Sequence, residues 1–111
     1  MKILLQTKAL ADETRLRLLG VLARHELNVG EIVQVMGMGQ SRVSRHLKIL
    51  VDADLVACQR QGMWAFYSAQ RTRSALLRAV LNELADFPGH QADMQAAERI
   101  LRERRHSTAR F

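Results

Sequence analysis

A mainly helical domain carrying one β-hairpin is the fold class this sequence predicts, and three observations predict it. Val43, Leu47 and Leu50 recur at i, i+4 and i+7, which places three apolar side chains on one face of a helix. A shorter amphipathic run, Val29-Gly30-Glu31-Ile32-Val33-Gln34-Val35-Met36, comes just before and stops at Gly37-Met38-Gly39. Beyond them, Leu55–Arg60 and Trp64–Ser68 alternate like strands around a turn at Gln61-Gly62-Met63. At 111 residues the chain is too short for two independent cores.

Taken in order, residues Ile3 to Leu10 read as a first helix. Asp12-Glu13-Thr14 starts a second, with Asp12 as the N-cap and acidic residues in the first turn. Leu16, Leu19, Val21, Leu22 and Leu27 are its apolar positions, and Arg15, Arg17 and Arg24 are expected to look outward. The two short helices around Gly37-Met38-Gly39 form a helix-turn-helix plan, whose second helix enters the major groove. An αα-corner in an ordinary helical domain shares that pattern. The outer face of the second helix carries Ser41, Arg42, Arg45 and Lys48, with Gln40 and Ser44 near its start, all donors suited to phosphates and base edges.

Asp52-Ala53-Asp54 then breaks the helical pattern, and a hairpin directly after a helix-turn-helix is the wing of a winged helix, with Arg60 and Gln61 at its tip. Arg71 to Phe87 is predicted helical, with Leu76, Leu77, Val80, Leu81 and Leu84 in a stripe dense enough to suggest a partner, and Pro88-Gly89 ends it. From His90 to Arg105, Met94, Ala97, Ile100 and Leu101 keep helical spacing.

Seventeen Lys and Arg against eleven acidic residues leave a net charge of +6, which favours an anionic partner. Nucleic acid leads, although docking on acidic protein or lipid needs the same balance. Cys58 is the single cysteine and can form no intramolecular disulfide; Met1-Lys2 followed by three apolar residues is no signal peptide. No apolar run approaches the ~20 residues of a membrane span. The expected compartment is the cytoplasm, with membrane contact limited to surface attachment.

Four stretches together resemble the ArsR/SmtB family of bacterial winged-helix repressors. They are Ala9-Leu10-Ala11-Asp12-Glu13-Thr14-Arg15-Leu16-Arg17-Leu18-Leu19, Leu27-Asn28-Val29-Gly30-Glu31-Ile32, Ser41-Arg42-Val43-Ser44-Arg45-His46-Leu47-Lys48-Ile49-Leu50, and Gly62-Met63-Trp64-Ala65-Phe66-Tyr67. The resemblance covers residues 9 to 68. It implies a winged helix-turn-helix of order α-α-(β)-α-α-β-β-α plus a C-terminal helix, acting as a homodimer in the bacterial cytoplasm in association with the nucleoid. Residues 1–88 would form the DNA-binding and dimerisation domain and 89–111 a helical extension. The first helix and the Arg71–Phe87 helix would pair across the dimer through Leu4, Leu5, Leu76, Leu77, Val80, Leu81 and Leu84. Two recognition helices would then address successive major grooves of an inverted-repeat operator in double-stranded DNA. Gln40, Ser41, Arg42, Ser44 and Arg45 would meet base edges and nearby phosphates. His46 and Lys48 would add backbone contacts, and Arg60 and Gln61 would hold the wing on the backbone or minor groove. A hydrogen bond within its own helical turn is an equal expectation for His46.

The chain departs from its metal-sensing relatives. Where many carry a Cys-x-Cys pair, this chain has Asn28 and Gly30, which offer a soft ion no thiolate. The Arg71–Phe87 helix offers only Glu83 and Asp86, with His90 beyond Pro88, a poor set for zinc. Neither a metal nor a cofactor is expected. Cys58 reads as buried filler, His25 as a cation at a helix C-terminus, and Met36, Met38 and Met63 as packing. Trp64, Phe66 and Tyr67 read as strand residues packing alternately on the core, with a stacking platform for single strands as the alternative. No glycine-rich phosphate loop and no nucleophile with an assigned base is present, so an enzyme is not expected.

The segment after Pro88 is similar to the linker of a subgroup in which such a repressor domain is joined to a methyltransferase. That likeness implies S-adenosylmethionine or S-adenosylhomocysteine as effector; an extra dimer-stabilising helix is the plainer expectation. The functional expectation is a repressor released by a non-metal small molecule. A winged-helix interaction module, or the regulatory arm of a larger methyltransferase, is the alternative.

Overall fold

The computed structural model describes residues 2–70 and 74–109, with the side chains of 107–109 left aside. Helix α1 spans Lys2–Leu10, α2 Glu13–Leu22, α3 Val29–Met36 and α4 Gln40–Asp52. Strand β1 is the pair Leu27–Asn28, and β2 (Val56–Gln61) and β3 (Trp64–Ala69) form the hairpin. Helix α5 covers Ala75–Glu83, a 3-10 turn follows at Leu84–Asp86, and α6 runs from His90 to Ala109. This is the mainly helical, winged order expected from the sequence.

Local chemistry sets most boundaries. Asp12 accepts from the Arg15 backbone N–H and so starts α2. Asn28 and Glu31 form a reciprocal capping box at the start of α3, and Gly37 ends that helix in the left-handed region at φ 65°. Ser74 caps α5 by accepting from Leu77 N–H. Leu27, expected in the second helix, lies instead in β1, because α2 closes at Ala23 and the chain then pairs Leu27 with Tyr67 and Asn28 with Phe66. The sheet order is β1-β3-β2, all antiparallel, and β2 and β3 stay in register from Val56↔Ala69 to Gln61↔Trp64. The helix expected over Arg71–Phe87 is shorter than predicted. Its first residues, Arg71 to Arg73, lie outside the described residues, and the chain tightens into the 3-10 turn at Leu84.

One core joins these elements: Leu18, Leu19, Leu27, Ile32, Val43, Leu47, Leu50, Leu55 and Leu77 are all buried. Helix α6, which the sequence reading sets apart as an extension, contributes Ala97 and Ile100 to the same core. Two ion pairs pin it. Arg17 donates twice to the buried Asp93 carboxylate, at 2.8 and 2.9 Å, and Arg104 donates to both oxygens of Glu31, at 2.6 and 2.7 Å. Arg17 therefore does not look outward. Nor does Arg15, whose guanidinium donates to the Ala9 and Lys8 carbonyls at the end of α1.

Candidate nucleic-acid interface

Helix α4 is two-faced. Val43, Leu47 and Leu50 are 0–1 % exposed, so the residues between them must point away from the core. Gln40, Ser41, Arg42, Ser44, Arg45 and Lys48 are all exposed on that outer side. Among the described residues neither Arg42 nor Arg45 is ion-paired, whereas Lys48 donates to Asp52 one turn on, at 3.1 Å. No side chain caps the start of α4 at Gly39, so its first-turn N–H groups stay available to water or to a phosphate oxygen.

His46 departs from both expectations. Its side chain is only 15 % exposed, and its Nδ1 accepts from Arg15 Nη1 at 3.2 Å, with Asp12 Oδ2 at 3.9 Å. The ring thus joins α4 to α2, neither reaching outward to a phosphate nor bonding within its own turn. Burial pushes its pKa below the ordinary value; Asp12 opposes this, and Arg15, Arg42 and Arg45 lower it further.

At the wing, Gln61↔Trp64 is the last paired rung and Gly62, at φ 64°, turns the chain. Arg60 and Gln61 are exposed there as expected. Met63 is 94 % exposed and Trp64 61 %, so Met63 is not packing material and Trp64 does not lie on the core; Phe66 and Tyr67 are half-buried. Cys58 is likewise exposed rather than buried filler, because Val56 alone of that strand reaches the interior.

The residues assigned to a dimer interface divide. Leu4 and Leu5 are 56 % and 50 % exposed, and the neighbouring Ile3, not among the residues expected at the interface, is 51 % exposed. Leu76, Val80 and Leu81 are half-buried and open on one side. Leu77 and Leu84 are 0 % and 4 % exposed within a single copy, so they belong to its own core and cannot form an interface. Asn28 is committed to capping α3. Among the described residues no three His, Cys, Asp or Glu side chains gather as a metal site, and no helix is long and apolar enough to cross a membrane.

Residues 12–57, from the α2 cap to the start of the wing, match the family model described as "Bacterial regulatory protein, arsR family". The chain is 32 % identical over 83 residues to the transcriptional activator HlyU of Vibrio cholerae, covering 75 % of this chain and 77 % of that protein. The chain belongs to the ArsR family. A probable mercury resistance operon repressor of Streptomyces lividans is 44 % identical to this ArsR-family chain over 68 residues, 61 % of this chain. That match spans 54 % of the repressor's length, so the chain accounts for little more than half of it. Among solved structures, the homodimeric winged helix-turn-helix DNA-binding domain Mb0332 of Mycobacterium bovis superposes with a TM-score of 0.67 at 32 % identity, over 77 % of this chain and 79 % of that one.

Proposed function

We propose that this ArsR-family chain is a homodimeric, sequence-specific transcriptional repressor that releases its operator on binding a small molecule other than a soft metal ion. The observation that carries the reading is the outer face of α4, where Gln40, Ser41, Arg42, Ser44 and Arg45 stand exposed on a helix whose inner side is sealed into the core. In a major groove that face offers two guanidinium forks, which suit the paired acceptors of guanine, and short donors for flanking phosphates. Lys48 adds a backbone contact, and Arg60 and Gln61 bring the wing down beside the groove. Ile3, Leu4 and Leu5 of α1, with Leu76 and Val80 of α5, supply the apolar face for a second copy, whereas Leu81 lies on the other flank of α5, by the 100° step of a helix. That the Mycobacterium bovis neighbour is homodimeric supports the pairing of two copies. Two-fold symmetry then calls for an inverted repeat with half-sites roughly 34 Å apart, or a multiple of that. Repression is supported by the name of the Streptomyces lividans relative. The S-adenosyl nucleosides implied by the segment after Pro88 are supported by no residue described above, so the proposal stops at a non-metal small molecule.

Incubation with sheared genomic DNA from the source organism, followed by sequencing of the bound fragments, tests this. Enrichment of an inverted repeat near a few promoters is the expected result, and log affinity should fall with log salt at a slope near −0.9 per phosphate neutralised. Recovery that tracks only fragment length would overturn the reading and favour an interaction module with a merely basic surface.

A further inference from the structure

A cavity of about 390 Å³ opens between the C-terminal half of α2, helix α5 with its 3-10 turn, and the start of α6, and DNA binding makes no use of it. Its volume is that of a small-molecule site, for which roughly 300–1,000 Å³ is usual. Among the described residues the charged lining is of one sign: Arg24 comes from the end of α2 and Arg78 from α5, His90 and Asn82 add polar groups, and no described acidic side chain lines the space. Leu81 and Leu84 furnish apolar wall. Gly20 is part of the design: a Cβ there would stand 2.8 Å from His90 Nδ1, so only glycine lets the imidazole lie against α2.

Helix α5 keeps this cavity apart from the face assigned to a second copy. Leu77 and Leu84 turn into the core, and Arg78, Asn82 and Ala85, at i, i+4 and i+7, line the cavity. Leu76 and Val80 fall on the opposite flank of the core stripe, by the 100° step of a helix. A partner seated on Leu76 and Val80 therefore leaves the cavity free.

We infer that this cavity binds a small organic anion, its carboxylate or phosphate head held between Arg24 and Arg78 and its apolar body laid on Leu81 and Leu84. Guanidinium groups match planar or tetrahedral oxyanions with two parallel N–H donors, and the apolar wall beside them reduces competition from water. The start of α6 adds its positive dipole end at His90. Helix α6 also connects the cavity to the DNA-binding elements. About 21 Å further along, at 1.5 Å per residue over fourteen residues, Arg104 holds Glu31 at the start of α3 and lies 5.3 Å from the Phe66 ring of the wing. Helix α6 thus joins the His90 end of the cavity to the clasp at Arg104. That the ligand serves as effector rests on the repressor reading; that the cavity binds it does not.

The test is calorimetric titration of the full chain, free of DNA, with phenylacetate, phenyl phosphate and the near-isosteric neutral phenylacetamide. At least one anion should bind saturably and at least tenfold tighter than the amide, and the tighter anion identifies the head group. Arg24→Gln and Arg78→Gln should each weaken that anion at least tenfold, leaving operator affinity without ligand within twofold. The His90 ring resonances should shift in step with saturation. Anions that bind no better than the amide, or equally well to both variants, overturn the site. Anion binding without operator preference would leave the site standing and remove the repressor reading; operator preference without anion binding would remove the site alone.

Discussion

The guanidinium of Arg104 grips the carboxylate of Glu31 with hydrogen bonds of 2.6 and 2.7 Å, and by this contact the last helix holds the first turn of α3. Glu31 is already in use there, since its Oε1 accepts the Asn28 N–H that closes the capping box. One carboxylate therefore starts the helix-turn-helix and anchors α6 to it. Arg104 also donates to the Glu26 carbonyl and stacks on Phe66 of the wing. Three segments far apart in sequence meet at one side chain.

Removing either partner should separate these roles. Arg104→Ala is expected to cost about 1–2 kcal/mol, since the arginine is partly exposed and solvent screens the pair. Glu31→Ala is expected to cost about 2–3 kcal/mol, because it also removes a cap and strands the guanidinium. Urea unfolding of the single variants and the double variant measures both the losses and their coupling; strictly additive losses would contradict the shared contact.

Replacing Arg45 by alanine is expected to cost about 1–3 kcal/mol of operator affinity and to relax preference at one base pair. Thermal stability should not change, as Arg45 is exposed and makes no ion pair among the described residues. Lys48→Ala should instead weaken operator and random DNA alike and reduce the salt slope by about one. Competition binding at two salt concentrations distinguishes the two outcomes.

Acidification should loosen the contact between α4 and α2. The folded-state pKa of His46 lies below the ordinary 6.5, chiefly through burial, so unfolding takes up a proton there. Its contribution is present above pH 6.5 and is lost as pH falls through the depressed folded value. His46→Gln keeps an acceptor for Arg15 and should flatten the stability profile in that window. A profile as steep as that of the parent chain would show that other groups govern it.

Two leucine variants, one double and one single, should have opposite consequences. Leu4→Glu combined with Leu5→Glu is expected to give a folded monomer with weakened operator binding, because both side chains are about half exposed in one copy. Leu77→Ala should cost about 2–5 kcal/mol of stability, since it empties a site within the protomer core. Light scattering and thermal unfolding together report which residue belongs to which surface.

The order of the helices, the wing hairpin, the cap at Asp12, the stop at Gly37 and the outer face of α4 follow from short-range rules and were legible in the residues themselves, whereas β1 was not, since Leu27–Asn28 is a strand only through its pairing with Tyr67 and Phe66. Apolar spacing tells which side of α4 is buried, so Gln40, Ser41, Arg42, Ser44 and Arg45 could be assigned to the exposed side directly. Spacing cannot tell what an apolar stripe is buried against. Leu76, Leu77, Val80, Leu81 and Leu84 look alike in sequence, and only the placement of α2, α5 and α6 divides them into own core, cavity wall and open face. Charged residues were misjudged for the same reason. Arg17 and Arg15 read as surface groups and His46 as a phosphate contact or a bond within its own turn, yet Asp93, the end of α1 and α2 respectively meet them across 76, 6 and 31 residues of chain. Local periodicity and capping depend on neighbours within about one helical turn, and the sequence alone determines them. Partners brought together by chain reversal, the Arg104–Glu31 clasp and the one-signed cavity among them, exist only after packing, and tertiary structure alone decides them.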